Sequence, residues 1–234
     1  MKQLNQLLLC VLISLLCSCE NVDYSPKSID EGIINFNISY PVKNYASYME
    51  RVIPKKMTMS FKDNVYKNEV SVGNFFTSSV ITDCNTKKMV MLLNLHPEKI
   101  YTTLNKKQVE QMLEDHYPIP EIITSPYKDS VMGVICKRHY GVFDQLKDGR
   151  DVLLNETKAI KIKNSNWGNQ FSHLKGVLTN YEVAQFGLNM QFKAYSYEKT
   201  SIADSCFSVP NNYEEVTFDV YWQKMNEIFA AFLI

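Results

Sequence analysis

"KMTMSFKDNVYKNEVSV", Lys56 to Val72, decides how the chain is to be read. Met57, Met59 and Phe61 alternate with Thr58, Ser60 and Lys62, the period-2 pattern of a strand with one buried face. Asp63-Asn64 then supplies turn residues, and "VYKNEVSV" returns as a partner strand. Neighbouring stretches repeat the scheme. "FFTSSVI" (75–81) and "MVMLLNL" (89–95) flank a second turn at Asp83 to Lys87, and "GIINFNISY" (32–40) opens the series with Ile34, Phe36, Ile38 and Tyr40 on one side.

Helical spacing occurs in three places. "KNYASYMERV" (43–52) sets Tyr45, Tyr48, Met49 and Val52 at helical intervals, and Pro54 ends it. Lys106 to Asp115 reads as a short helix capped by Asn105, with Val109, Met112 and Leu113 on one face. "FDVYWQKMNEIFAAFL" (218–233) carries a wide apolar stripe at 3.6-residue spacing, and its polar face of Asp219, Gln223, Lys224 and Glu227 is mixed in charge, unlike an interfacial membrane helix. Three prolines mark residues 116–130 as a loop. Strands resume at "VMGVICKRHY", "VLLNE", "AIKI", "VLTNYEV" and "LNMQFKAYSY", the last two split by Phe186-Gly187. Roughly ten antiparallel strands with a few helices predict an α+β fold, a curved antiparallel sheet or half-barrel wrapped over the helices.

The order strand, helix, meander, helix, meander resembles the incomplete barrel of the LolA/LolB superfamily of lipoprotein-localisation factors. "MTMSFKDNVYKNEV", "VITDCNTKKMVML" and "KIYTTL" are similar to the first half of small exported proteins near that superfamily. "NQFSHLKGVLTNYEV", "GLNMQFKA" and "FSVPNNYEEV" are similar to their second half. The likeness spans most of residues 33–218 and is carried mainly by Asp83, Gly176 and the Phe207, Val209, Pro210, Tyr213 phrase. It implies a half-barrel with an apolar cavity.

"LLLCVLISLLCSCE" (7–20) has the order of a secretory signal, with Lys2 before a short uncharged run and small Ser18 before Cys19. The run is shorter than the ~20 apolar residues of a membrane span. Leu16-Cys17-Ser18-Cys19 resembles a bacterial lipobox, which names Cys19 as the acylated residue. Residues 1–18 are then a signal peptide, 19–30 a tether and 31–234 a single LolA/LolB-like domain. The resemblance implies a cell-envelope lipoprotein held at a membrane through its lipid. Glu20, where enterobacterial lipoproteins kept at the inner membrane carry Asp, points to the outer membrane.

The whole chain has 25 Lys and Arg against 25 Asp and Glu; losing Lys2 with the signal leaves 24 against 25, a net charge of −1. That balance argues against nucleic acid, whose phosphates demand a basic patch. Cys84, Cys136 and Cys206 remain beyond the lipid site. An oxidising compartment allows one disulfide, with Cys136 and Cys206 the strand-borne pair, or three free thiols. With no CxxC and no paired histidines, no metal or other cofactor is expected. His96, His116, His139 and His173 are scattered, with no acid or nucleophile at motif spacing, and no enzyme motif is present.

Methionine and aromatic side chains on the strands, with Phe36, Phe61 and Met91 as representatives, are the candidates to contact a lipid or other apolar ligand, since unbranched Met adapts to irregular guests. The alternative is a non-enzymatic structural or interaction subunit with a filled core. Asp129-Ser130-Val131 resembles an O-glycosylation site and names Ser130.

Overall fold

The computed structural model describes residues 28–43, 45–143 and 151–230. The expected signal peptide, Cys19 and the tether up to residue 27 lie outside these residues.

Among the described residues, twelve strands form one sheet built from two meanders. The first runs through β1 (Glu31–Ser39), β2 (Lys56–Lys62), β3 (Val65–Val72), β4 (Phe76–Asp83), β5 (Lys88–Leu95) and β6 (Glu98–Leu104), each antiparallel to the next. The second runs through β7 (Glu121–Val131), β8 (Val134–Val142), β9 (Val152–Thr157), β10 (Val177–Gln185) and β11 (Leu188–Glu198) in the same manner. They are joined where β11 pairs with β1, and the two-residue β12 (Glu214–Glu215) adds in parallel outside β6. The order is β12-β6-β5-β4-β3-β2-β1-β11-β10-β9-β8-β7, so the sheet is open, with β12 and β7 at its edges.

Local chemistry explains the hairpins. Asp63-Asn64, Met132-Gly133 and Phe186-Gly187 each hold two successive residues at positive φ, the turn that matches the twist of paired strands. Asp83 holds the β4–β5 turn by accepting from the backbone N–H of Asn85 and Thr86 and from the Thr86 hydroxyl. At the seam, Gly32 is required by close approach: a Cβ there would lie 2.2 Å from the Glu198 carbonyl oxygen.

The expected α+β architecture does not hold. The protein is β-rich, and its only α-helices among the described residues are α1 (Lys106–His116) and α2 (Phe218–Ala230). Two segments account for the difference. Residues 43–52 yield a five-residue 3-10 turn, Ser47–Arg51, because Ala46 at its start has no side chain to cap it. Residues 116–130, read as a loop from their prolines, contain the long strand β7. Proline is tolerated there because β7 is an edge strand, and Pro126 falls within the register shift between Thr124 and Lys128. "AIKI" forms no strand, only a bridge between Ile160 and Ile29. That bridge buries Ile29, within the segment expected to be tether.

The sheet is strongly curled. β5 and β10 stand six places apart in it, roughly 29 Å if flat at about 4.8 Å per strand. Yet Met89 and Met91 of β5 line one cavity with Tyr181 and Val183 of β10. One main core cluster fills the concave side, with Val109, Met112 and Leu113 from α1 and Tyr221, Met225 and Phe229 from α2. A smaller cluster around Leu154, Phe171 and Leu178 lies under β9 and β10.

Candidate functional site

Cross-strand register places the inner side chains of β1 to β6 in rows. One row runs Phe36, Met57, Val70, Ser78, Leu93, Ile100; the next runs Ile34, Met59, Asn68, Val80, Met91, Thr102. The third runs Gly32, Phe61, Tyr66, Thr82, Met89, Leu104. Between these rows and the second meander lies a cavity of about 230 Å³. Six methionines line it: Met57, Met89, Met91, Met112, Met190 and Met225. Phe76, Phe186, Phe192 and Phe229 join aliphatic and tyrosine side chains in the rest of its wall, and among the described residues no Asp, Glu, Lys, Arg or His contributes to it.

Two features bound the cavity. The long β9–β10 connection contributes Gly168 and Asn169, and is pinned across the concavity by the Tyr66 hydroxyl, which donates to the Ser165 carbonyl at 2.7 Å. Elsewhere the β10–β11 turn meets the two helices in an aromatic cluster. Phe186 stacks on Phe229 at 4.8 Å, and Trp222 stacks on His116 at 4.3 Å. Burial raises the phenol pKa of Tyr66, Tyr117 and Tyr181 well above the ordinary value, so these rings stay protonated.

The three residues expected to contact a ligand part company. Met91 lines the cavity. Phe36 instead lines an adjoining hollow of about 30 Å³ with Met59, Tyr66, Asn68 and Tyr181. Phe61, 1% exposed, belongs to the solid core. Asn68 lies in both hollows and escaped the sequence reading, because a polar residue within a strand passes for an outward one until its register with Met59 is known.

Of the two alternatives left open, a Cys136–Cys206 bridge or three free thiols, the structure has Cys84, Cys136 and Cys206 free. Cys136 is fully buried on β8 with its sulfur 3.3 Å from the Thr179 hydroxyl. Cys206 lies in a 3-10 turn tied to β2 by a Lys62–Asp204 ion pair, and β2 stands five places from β8 in the sheet. Burial also pushes the Cys84 thiol up to about 11. Ser130 is exposed on β7, paired with Ile135 beside the hairpin turn, rather than in a loop; Asp129 before it is paired with Arg138 and bonded to Asn155.

The structure assembles one polar group that sequence spacing did not suggest. His139 Nε2 lies 3.1 Å from Glu156 Oε2, and Nδ1 lies 3.0 Å from the Thr124 hydroxyl. The other Glu156 oxygen accepts from the backbone N–H of Lys175 and Gly176. Burial alone would raise the Glu156 pKa, but the bonds from Gly176, His139 and Lys175 outweigh it and hold the pKa below the ordinary range. With His139 2% and Glu156 7% exposed, the group locks β8, β9 and the β9–β10 connection together.

Against known proteins, the likeness is one of shape. No protein-family model matches the sequence, and neither does any curated protein. The chain is similar in fold to PNGF-II. In the structure of PNGF-II in space group C2 the match has a TM-score of 0.54 at 12% identity, over 85% of this chain and 33% of that one. This chain thus spans about a third of the length of the protein it matches. A beta-barrel-like protein of the domain of unknown function DUF1849 from Brucella abortus gives a TM-score of 0.36 at 6% identity, over 74% of this chain and 99% of that one. What the likeness to PNGF-II supports is a large open β-sheet fold.

Proposed function

We propose that the chain is a bacterial envelope lipoprotein, anchored by acyl chains on Cys19, whose half-barrel of LolA/LolB type holds an apolar guest. The observation that carries the binding part is the methionine-lined cavity, to which no charged group contributes among the described residues. Its size lies above the ~150 Å³ that accommodates benzene and below the ~300 Å³ at which drug-sized sites begin, so the guest is compact. Scaling from benzene gives a guest of roughly nine carbons. Thioether side chains let the walls re-pack around it. The lipobox-like run ending at Cys19 supports the anchor, and Glu20 supports the outer membrane. Several acyl chains make a lasting attachment where one is marginal, at about 0.8 kcal/mol per buried CH₂.

Two measurements test the reading. Metabolic labelling with a fatty-acid analogue should mark the wild-type chain and leave Cys19→Ser unlabelled; equal label in both removes the anchor from Cys19. Naphthalene fluorescence should report binding to the wild type, and Met91→Trp should abolish it with little change in melting temperature, because the indole occupies the cavity. If the wild type takes up no naphthalene and Met91→Trp is destabilised by about 1–3 kcal/mol, as overpacking of a filled core would require, the chain is an interaction subunit.

A further inference from the structure

One rim of the curled sheet is basic. The start of β1, the β2–β3 turn, the β4–β5 turn and the end of β6 lie at the same end of the first meander, because Glu31 pairs with Lys62, Val65 with Asp83 and Met89 with Leu104. The β9–β10 connection joins them there: Ile160 bridges Ile29, and the Lys163 backbone N–H donates to Asn64 Oδ1 of the β2–β3 turn. Two open grooves run along this rim. The first takes Lys158, Lys161, Lys163 and Lys175 from that connection, with Asp30 and Asp63. The second takes Lys87, Lys88, Lys106 and Lys107, with Asp83. Asn64 and Asn85, bonded at 3.3 Å, join the turns on which both grooves are built.

These lysines are mostly not spent on ion pairs. Lys106 meets Glu110 at 3.4 Å and Lys87 lies over the Trp167 ring. The other six ammonium groups have no partner among the described residues, and all six residues are exposed. In a chain whose charges balance overall, eight lysines against three aspartates is a local excess. Its members repel one another, and an anionic surface relieves the repulsion.

Position selects the surface. Asp30, in the first groove, follows Cys19 by eleven residues, a span of roughly 40 Å at most when fully extended. A lipid on Cys19 therefore keeps this rim, where the chain enters the body, near the bilayer. We propose that the lysine rim docks on an anionic phospholipid surface, its ammonium groups meeting lipid phosphates; the choice of a membrane rests on the anchor proposed at Cys19. The acyl chains set the distance of the body from the bilayer, and the lysines set which way it faces. Docked so, the opposite ends of the strands, where Ile38, Val70 and Phe76 line the cavity, lie away from the bilayer.

Amine labelling tests the docking on the mature protein, purified from its source membrane and reconstituted into vesicles of phosphatidylcholine alone or mixed with phosphatidylglycerol. Mass spectrometry reads the rate at each lysine. With phosphatidylglycerol, labelling of Lys158, Lys161, Lys163 and Lys175 should slow by at least about fivefold, the ratio that the attraction of a single lysine supports. Lys56, at the far end of β2, should keep its rate, and salt at about 1 M should restore the others. Lys161→Glu with Lys163→Glu should abolish the slowing at Lys158 and Lys175. Equal rates in the two vesicles overturn the docking, and if the protein still stays on neutral vesicles the anchor stands. Loss from neutral vesicles alone, with the slowing intact, removes the anchor and keeps the docking; loss from both overturns both. Slowing by dextran sulfate but not by phosphatidylglycerol assigns the rim to a soluble acidic polymer and overturns the membrane.

Discussion

Glu156→Leu is expected to cost about 3–5 kcal/mol of folding stability, read as a lower urea midpoint at an unchanged slope. The substitution keeps the volume close and removes the acceptor. His139 Nε2 and the backbone N–H groups of Lys175 and Gly176 then remain inside without a partner. The pH dependence carries a sign. Because the Glu156 pKa is lower folded than unfolded, its contribution is fully present above the unfolded value of about 4.3 and fades as pH falls through the folded value. Wild-type stability should therefore decline on acidification below about pH 4, and the mutant should lose the Glu156 share of that decline. A mutant that melts like the wild type at neutral pH would show that β8 and β9 do not depend on this carboxylate.

The second large effect is at α2. Tyr221 is fully buried there, its hydroxyl 3.5 Å from the Leu92 carbonyl, and burial pushes its phenol pKa up to about 12. Tyr221→Ala should destabilise the protein by about 3–5 kcal/mol, the cost of emptying a large aromatic site that cannot collapse. Removing the chain from Phe218 onward should abolish cooperative unfolding altogether, since Met225 and Phe229 leave the core with it. A truncated chain with a sharp thermal transition near the wild-type temperature would show that α2 rides on the sheet without supporting it.

The strands of the first meander are legible because alternation and turn residues agree: Met57, Met59 and Phe61 alternate, Asp63-Asn64 turn, and the structure pairs Phe61 with Tyr66 across that turn. The capped helix is equally local, for Asn105 and Gln108 exchange the two bonds of a capping box. What eludes a sequence reading depends on partners distant in the chain. β7 looks like a loop because Pro118 and Pro120 precede it and Pro126, within it, is tolerated only at an edge, and edges are a property of the finished sheet. The balance of fold class fails for a similar reason, since the 43–52 periodicity is real but the segment is too short and uncapped to hold an α-helix. At the cavity, Met91 follows from its strand's alternation. Asn68, its neighbour two strands away, needs the register of β2, β3 and β4 together. The Thr124, His139 and Glu156 group joins three strands and has no spacing signature at all.

The seam between the meanders also sets a clock. Asn35 on β1 donates to Ser196 on β11, 161 residues later. At about 5–20 residues per second of synthesis, that interval is roughly 8–32 s during which one long edge of β1 has no partner. Each meander can zip locally from its own hairpins, but the curled sheet comes into being only when the two dock along β1 and β11. Such distant closure makes folding slow, and the rate should respond most to changes along that line, where Gly32 sits against Glu198. Until docking, the chain is a pair of half-sheets with an apolar face each, the kind of exposed surface that chaperones recognise.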